Sequence, residues 1–248
     1  KYYAEDNYLR NSVKFVIDAQ NGSINAYIAY ENYPIIKTYS KIFPNVFQPL
    51  GNMDPSITKH LKYPSYLLES QVQMYAAYHM KDTKVYYNKE DLWEVPFEDN
   101  EMLMRHFIMK LPNKDKEEFV FVVPYTPSGK DNLISWMAVS NDGENYRKIT
   151  AYYHPKQNLL YGPEQIKAKI NQDATVSGQL TLWDQKGSKV VKGSMFVIPV
   201  DNSFIYIQPI YLYSTEQKSI PELKKVIVVY KDKVVMGDNV WNSLSRLF

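Results

Sequence analysis

Apolar and polar residues alternate over residues 13–30, and this period of two predicts a pair of β-strands. Apolar residues occupy every second position up to Ile17 and again from Ile24 onwards. Asn21 and Gly22 stand between the two runs, and this dipeptide is typical of a two-residue type I′ turn. The pattern therefore predicts a β-hairpin.

Between residues 34 and 80 the spacing of apolar residues changes to that of helices. Prolines divide this stretch into short helices, because proline is tolerated in the first turn of a helix but not in its interior. Pro34 and the pair Asp54 and Pro55 stand where helices are expected to begin. A longer helix is predicted after Pro64.

Residues 81–101 form an acidic connecting segment, in which Asn88 is expected to cap a turn. The rest of the chain alternates between strand pairs and short helices, and Asp238 is expected to cap the last helix. Pro199 and Pro209 lie inside predicted strands, so their hairpin is expected at a sheet edge or with a bulge. The predicted strands are Met104–Leu111, Glu118–Val123, Leu133–Val139, Lys148–Tyr153, Val190–Val200, Phe204–Tyr213, Val226–Tyr230 and Lys233–Met236.

Strand pairs with helices clustered between them indicate an α+β fold with mainly antiparallel sheet built from hairpins, rather than alternating βαβ units. The short helices are expected in clusters at 34–80, 163–185 and 238–248. The length of 248 residues suits one compact soluble domain over residues 1–248. The sequence leaves open a subdomain boundary near residue 102, although no flexible linker marks it.

The composition narrows the class of partner. The formal net charge is +2 and no long run of one sign occurs, which argues against a nucleic-acid binder. The absence of cysteine excludes disulfides and thiolate zinc sites. The 22 tyrosines suit a surface for sugars, peptides or another protein, although tyrosines also fill strand faces. No stretch approaches the roughly 20 apolar residues that cross a bilayer, and the chain opens with Lys1, so an excised piece of a longer protein is expected.

Acidic and aromatic residues stand together in 90–101. Two facing carboxylates are sufficient to hydrolyse a glycoside, so Glu94 and Glu98 are candidate catalytic residues. Trp93, beside them, is a candidate for binding a sugar ring. The alternative is a solvated acidic loop that Trp93 and Phe97 anchor to the core.

The histidines show no spacing typical of a metal site. His79 lies on the apolar face of its predicted helix and is interpreted as a core residue. No phosphate-binding loop and no nucleophile elbow occurs, so the sequence predicts no cofactor and contains no recognised catalytic constellation. The four histidines are His60, His79, His106 and His154.

Asp142 and Glu144 stand in a short acidic segment with oxygen ligands at spacings that a calcium loop uses. The segment lacks the full pattern of a calcium loop, and a hairpin turn explains the same residues without a metal.

Side-chain amides are concentrated in the tract 170–200. Asn171, Gln172 and Gln179, with Trp183 among them, have the donors and acceptors of a site for a polar ligand. The interpretation preferred from the sequence is that these amides cap two short helices and satisfy one another.

Long and unusual segments carry a resemblance over nearly the whole chain. They are RNSVKFVIDAQNGSINAYI, FPNVFQPL, HLKYP, QMYAAYHM, VYYNKEDLWEVP, DNLISWMAVSNDGENYRK, INQDATVSGQLTLWDQKGSKVVKG and PELKKVIVVYKDKVVMG. In these segments the chain resembles uncharacterised protein family 0182. The resemblance implies multi-pass membrane proteins of bacteria and archaea, with transmembrane helices followed by a large soluble region whose C-terminal part this chain is similar to. It implies no activity, cofactor or catalytic residue.

Three hypotheses about function follow. The first is an extracytoplasmic binding or interaction module of a protein of the cell membrane, whose partners are its own transmembrane region and a cell-envelope polymer or another envelope protein. The second is an enzyme that acts on envelope glycans through Glu94 or Glu98. The third is an assembly scaffold for the transmembrane helices, which predicts an exposed apolar patch.

Overall fold

The computed structural model describes residues 8–155, 160–185, 187–215 and 220–248. Its packing divides the chain into two compact units. Unit 1 comprises the described residues up to Val72 together with Ser140–Lys148, and unit 2 comprises Gln73–Val139 and the described residues from Ile149 onwards. The α+β class with mainly antiparallel pairing is confirmed. Residue 102 lies inside unit 2, and the expectation of one compact domain stays a prediction.

The first strands of unit 1 form the predicted hairpin. β1 (Val13–Ile17) pairs antiparallel with β2 (Ile24–Ile28), and β3 (Phe47–Pro49) pairs with β2 in parallel. The turn differs from the expected type I′ because only Gly22, and not Asn21, has a positive φ.

Two side chains account for that difference. The carboxylate of Asp18 accepts a hydrogen bond from the N–H of Gln20 at 2.7 Å, and the amide oxygen of Asn21 accepts one from the N–H of Ser23 at 2.8 Å. Because these side chains satisfy the backbone of a wider loop, a tight two-residue turn is not needed.

The helices from Pro34 onwards begin where the prolines predict. The carboxylate of Asp54 accepts a hydrogen bond from the N–H of Ser56 at 2.7 Å and caps a short helix with proline in its first turn. Leu68, Val72 and Ala76 form the buried face of the longer helix. The helices are α1 (Pro34–Ile42), α2 (Pro55–Thr58) and α3 (Ser65–Tyr78).

The segment 81–101, expected to be connective, contains regular structure. The side chain of Asp82 accepts hydrogen bonds from two backbone N–H groups and caps a helix, whereas Asn88, the expected cap, lies at its C-terminal end. Asp99 and Asn100 both have positive φ and make a two-residue turn of a small hairpin. The elements are α4 (Thr83–Asn88), β4 (Trp93–Glu94), β5 (Phe97–Glu98) and β6 (Glu101–Met102).

Two larger sheets form most of unit 2. In the first, the strand order is β10-β9-β8-β4, and β7 also pairs with β8. In the second, the order is β11-β13-β14-β15, and β12 also pairs with β13. The strands are β7 (Arg105–Lys110), β8 (Glu117–Pro127), β9 (Ser135–Ser140), β10 (Ile149–Tyr153), β11 (Ser188–Lys192), β12 (Phe196–Val200), β13 (Ser203–Ser214), β14 (Glu222–Tyr230) and β15 (Lys233–Gly237).

The predicted single strand 190–200 is two strands, β11 and β12. They separate at Gly193, where a Cβ atom would lie 2.8 Å from the ring of Pro209. The expected edge position is confirmed for Pro199, because among the described strands β12 pairs only with β13. Pro209 lies in β13, which pairs on both sides, and the register shift next to it, between Ile210 and Tyr211, belongs to the pairing of β13 with β14.

Helices cover both faces of the second sheet. α5 (Pro163–Gln172) and α6 (Ala174–Trp183) contribute to a core that includes Ile227 and Val229 of β14. α7 (Val240–Leu247) packs on the alternate residues of β14, Val226 and Val228.

The side chain of Asn239 caps α7, because its oxygen accepts a hydrogen bond from the N–H of Asn242 at 2.9 Å. The predicted cap, Asp238, instead pairs with Lys225. Within the described ranges, no helix combines the length and the apolar character needed to cross a membrane.

Candidate functional site

A cavity of about 570 Å³ opens in unit 2 where the end of α3, the segment before β4 and the ends of β8 and β10 meet. We call this cavity the aromatic pocket, because Trp93, Tyr153, His79 and His154 line it. Its charged lining residues are Lys89, Glu90, Asp91 and Lys130.

The floor of the aromatic pocket is a stack of two rings. The imidazole of His79 lies on the indole of Trp93 with ring centroids 3.6 Å apart and an interplanar angle of 21°. Pairing with Pro127 of β8 holds Trp93 in place, and only 5% of Trp93 is exposed. His79 reaches this position because it follows the last turn of α3.

Three tyrosines enclose the indole. The ring centroids of Tyr75, Tyr125 and Tyr153 lie 6.4, 5.4 and 5.5 Å from that of Trp93. The hydroxyl groups of Tyr75 and Tyr153 are hydrogen-bonded to each other at 2.6 Å. Of the three tyrosines, Tyr153 lines the pocket itself, whereas Tyr75 and Tyr125 contact the indole without lining the pocket.

Three buried ring nitrogens of the aromatic pocket have no hydrogen-bond partner among the described residues: Nε2 of His79, Nε1 of Trp93 and Nε2 of His154. In that part of the chain, the only other buried side-chain nitrogen or oxygen atom without a partner is Oε1 of Gln208. Because buried polar atoms are almost always paired, this convergence on one cavity marks the pocket as a candidate ligand site.

Hydrogen bonding defines what two of these nitrogens offer. Nδ1 of His79 lies 3.2 Å from the carbonyl oxygen of Tyr75, which only accepts, so Nδ1 donates and Nε2 of the neutral ring is an acceptor. Nε1 of Trp93 can only donate. The carboxylate of Asp91 lies 3.9 Å from Nε2 of His79, beyond hydrogen-bonding distance.

The surroundings of His154, Tyr153 and Tyr125 favour their uncharged forms. Burial lowers the pKa of His154. Burial, together with the hydrogen bond to Tyr75, raises the pKa of Tyr153 to about 12, and burial also raises the pKa of Tyr125. At neutral pH the two tyrosines are therefore neutral hydroxyl groups, and the lowered pKa of His154 favours its neutral imidazole.

A second cavity, of about 600 Å³, lies beside Tyr161 and Asp232. Two of its polar side chains are engaged with each other: the hydroxyl of Tyr161 donates to the carboxylate of Asp232 at 2.9 Å, and Lys169 pairs with the same carboxylate at 2.5 Å. The aromatic pocket is the better candidate because its nitrogens lack such partners.

The structure gives the two candidate catalytic acids different surroundings. Glu94 is exposed, accepts a hydrogen bond from the hydroxyl of Ser128 at 2.5 Å, and lines a depression of about 200 Å³. Glu98 is buried, pairs with Arg105 at 2.8 Å and accepts hydrogen bonds from the N–H of Met195. These contacts give Glu98 a structural role, and catalysis by the pair stays a prediction.

The amide residues of the tract 170–200 are spread over α5 and α6. Asn171 accepts a hydrogen bond from Lys192 at 2.5 Å, whereas Gln172 and Gln179 are exposed. Trp183 is half-buried and packs against the core. The cap of α6 is Asp173 rather than an amide, since its carboxylate accepts from the N–H of Val176.

A short 3-10 turn of unit 1 lies between β9 and β10 in the chain. Asp142 directly precedes this turn, and Glu144 lies within it. Antiparallel pairing of β9 with β10 confirms the hairpin. Throughout the four described ranges, no group of three or more His, Cys, Asp or Glu side chains could hold a metal ion.

Of the candidate residues named from the sequence, Trp93 is the one that lines the aromatic pocket. His79, interpreted as a core residue, and His154, which carried no interpretation, are its neighbours there. A weak signal existed, because His79 follows Tyr75 by one helical turn and so shares its face.

These observations define the class: an α+β protein of mainly antiparallel sheets with an aromatic pocket. The model of an uncharacterised protein family, UPF0182, matches residues 2–183, and the chain belongs to this family. It is 46% identical over 252 residues to a UPF0182 protein of Pelotomaculum thermopropionicum and 49% identical over 243 residues to one of Geobacter sp. strain M21.

The matches cover 100% and 98% of this chain but only 28% and 27% of those two relatives. The chain therefore spans little more than a quarter of the length of the curated relatives it matches. No solved structure matches it.

Proposed function

We propose that this chain is an extracytoplasmic binding module of a multi-pass protein of the cell membrane, and that its ligand occupies the aromatic pocket. The convergence of three unpartnered ring nitrogens on one cavity supports the ligand site. The resemblance to multi-pass proteins, and the relatives' much greater length, support the membrane setting. Protease treatment of intact cells tests the location, since cleavage of this region is expected outside the cytoplasm and protection would contradict it.

Energetics favour a ligand over a purely structural role for the pocket. A buried polar atom without a partner destabilises the fold by about 1–3 kcal/mol. The nitrogens of His79, Trp93 and His154 each contribute such a cost, and all three residues line one cavity. The volume of about 570 Å³ falls in the usual range for small-ligand sites. A ligand with matching donors and acceptors recovers part of this cost on binding.

His79→Phe is expected to weaken ligand binding while the fold is retained. Phenylalanine keeps the stack on Trp93 and removes Nε2, so the expected loss of affinity is at least about tenfold, the value of one good hydrogen bond. The measurement is the ligand-induced shift of the melting temperature with soluble peptidoglycan fragments and peptides, because a ligand at a hundred times its Kd stabilises the fold by about 2.7 kcal/mol.

His106→Phe is the matched control, since the ring of His106 also lies against an aromatic ring, with its centroid 3.6 Å from that of Phe121 and the two planes tilted by 36°, but outside the pocket. It should leave the ligand-induced shift unchanged. An unchanged shift in His79→Phe would count against the pocket as the ligand site.

A second candidate function, the assembly scaffold, is favoured by an apolar stripe on unit 1. The stripe consists of Ile35, Tyr39, Ile42 and Val46, which are 50–57% exposed. Their spacing places them on one side of α1 and of the segment that follows it. Phe15 and Ile17 of β1 are exposed as well. An apolar surface of this kind suits packing against another part of the longer protein.

Ile42→Asp is expected to weaken that packing in the full-length protein. Burying an isoleucine contributes about 1.5–3 kcal/mol, so the melting temperature of the solubilised full-length protein should fall by several degrees. The melting temperature of the isolated chain should hardly change, because Ile42 is 57% exposed there. Ile108→Asp, at a residue 78% exposed on β7, is the control and should affect neither protein. Equal effects of both variants would reject the scaffold function.

A further inference from the structure

We infer that the ligand of the aromatic pocket is an uncharged glycan chain, with one sugar residue against His79 and Trp93 and its neighbours over an exposed tyrosine platform. The platform is defined by Tyr78, Tyr86 and Tyr87. This inference rests on the proposed ligand site and adds the chemical class of the ligand and its extension beyond the cavity.

The pairing of donor and acceptor is the first argument. Nε1 of Trp93 requires an acceptor, and Nε2 of His79 in the tautomer set by Tyr75 requires a donor. The two rings are stacked with centroids 3.6 Å apart, so a ligand group that hydrogen-bonds to both nitrogens must both donate and accept. A hydroxyl group both donates and accepts, whereas a carboxylate or a doubly ionised phosphate only accepts.

The charges around the pocket are the second argument. Lys89 and Lys130 are balanced by Glu90 and Asp91, so the lining residues select neither sign of charge. An anion placed on the nitrogens of the floor would also meet the carboxylate of Asp91, 3.9 Å from Nε2 of His79. An uncharged ligand avoids this repulsion, and the aromatic walls suit the apolar faces of a sugar ring.

The tyrosine platform is the third argument. Tyr78, Tyr86 and Tyr87 are 66%, 39% and 86% exposed, although large aromatic rings are usually mostly buried. Tyr78 directly precedes His79 in the chain, and Tyr86 and Tyr87 precede the pocket residue Lys89 by two or three positions. The platform residues are therefore close neighbours of pocket residues along the chain, at the end of α3 and in α4.

Two platform rings are held together. The centroids of Tyr78 and Tyr86 lie 5.5 Å apart, and the hydrogen bond between their side chains raises the pKa of Tyr86. The raised pKa keeps the hydroxyl group of Tyr86 neutral. The two rings present amphipathic faces that suit the sugar residues of an uncharged chain.

The test measures affinity by isothermal titration for N-acetylglucosamine and for its linear dimer, tetramer and hexamer. The affinity is expected to rise by about tenfold or more from monomer to tetramer, because additional sugar residues stack on the platform. The double variant Tyr78→Ala and Tyr87→Ala should lose this gain and still bind the monomer. Tyr39→Ala, at an exposed tyrosine of unit 1, is the control and should keep the gain.

Acidic oligosaccharides and peptides are titrated in parallel, against the original chain and against His79→Phe. If these bind in a manner that depends on His79 while the neutral oligomers do not, the glycan inference is overturned and the proposed ligand site stands. If no titrated compound binds in a manner that depends on His79, both fail. An affinity for neutral oligomers that does not change with chain length overturns the platform.

Discussion

Replacing Gly162 with alanine is expected to destabilise the protein by at least about 3 kcal/mol, the upper range for forcing extra atoms into a packed interior. A Cβ atom at this position would lie 1.6 Å from the backbone oxygen of Asp131, so backbone rather than a flexible side chain must move. Gly162 is also the N-cap residue of α5, and its N–H donates to the side chain of Gln165 at 3.0 Å.

Movement at this point reaches the core and the aromatic pocket. α5 contributes the fully buried Ile166 and Ile170 to the core of unit 2. Asn132 and Leu133, which line the pocket, directly follow Asp131 in the chain. Gly162→Ala should therefore lower both the stability and the affinity for any ligand of the pocket.

Gly178→Ala is the matched control for this substitution. Gly178 is exposed within α6, and no atom lies within 4 Å of the position that a Cβ would occupy. Alanine is the better helix former, so this variant should be more stable by about 0.5–1 kcal/mol. Urea denaturation measures both variants, and a loss below about 1 kcal/mol in Gly162→Ala would contradict the tight approach of Asp131.

Replacing Glu98 with alanine is expected to cost about 3–5 kcal/mol, the usual effect of removing one partner of a buried ion pair. The side chain of Glu98 is 8% exposed and that of Arg105 is 22% exposed. Without Glu98, the guanidinium of Arg105 would lose its carboxylate partner, and little water could reach it to replace that partner. The buried N–H of Met195, which donates to both carboxylate oxygens at 3.0 and 3.1 Å, would lose its acceptor.

Glu94→Ala should cost less than about 1 kcal/mol, because Glu94 is exposed and its hydrogen bond to Ser128 competes with water. Chemical denaturation compares the two glutamates directly. A stable Glu98→Ala variant that had lost a glycan-cleaving activity would reverse our interpretation and restore Glu98 as a candidate catalytic residue.

The regular elements of this fold are largely readable from the sequence. Alternation predicts β1 and β2, and proline positions predict where α1 and α2 begin. These features are local, because each depends on a few neighbouring side chains and on the restricted φ of proline.

The sequence did not predict the regular structure of the segment 81–101, because its elements are too short to show a periodic spacing of apolar residues. β4, β5 and β6 contain two residues each. β4, which consists of Trp93 and Glu94, forms only by pairing with β8, a strand distant in the chain. Glu98 resembled a solvated acid for the same reason: its partner Arg105 becomes adjacent only through the small hairpin of β5 and β6.

The candidate site was predictable only at Trp93. His79, Trp93 and His154 come from three separate segments, and no fixed spacing in the sequence predicts that they line the same cavity. A buried nitrogen without a partner is a property of packing in three dimensions, so no pattern of residue types predicts it. The tract 170–200 was a candidate site because its amide side chains are closely spaced in the sequence. In the structure these side chains lie on two different helices, α5 and α6.

The indole N–H signal of Trp93 in a ¹⁵N–¹H correlation spectrum tests the central claim most directly. Trp136, Trp183 and Trp241 provide internal controls in the same spectrum, since none of them lines the aromatic pocket. On titration with a neutral N-acetylglucosamine oligomer, the Trp93 signal should shift to higher proton frequency and saturate, because its N–H gains an acceptor, while the other three stay in place. A Trp93 signal that does not move when the oligomer binds would show that the aromatic pocket is not the ligand site.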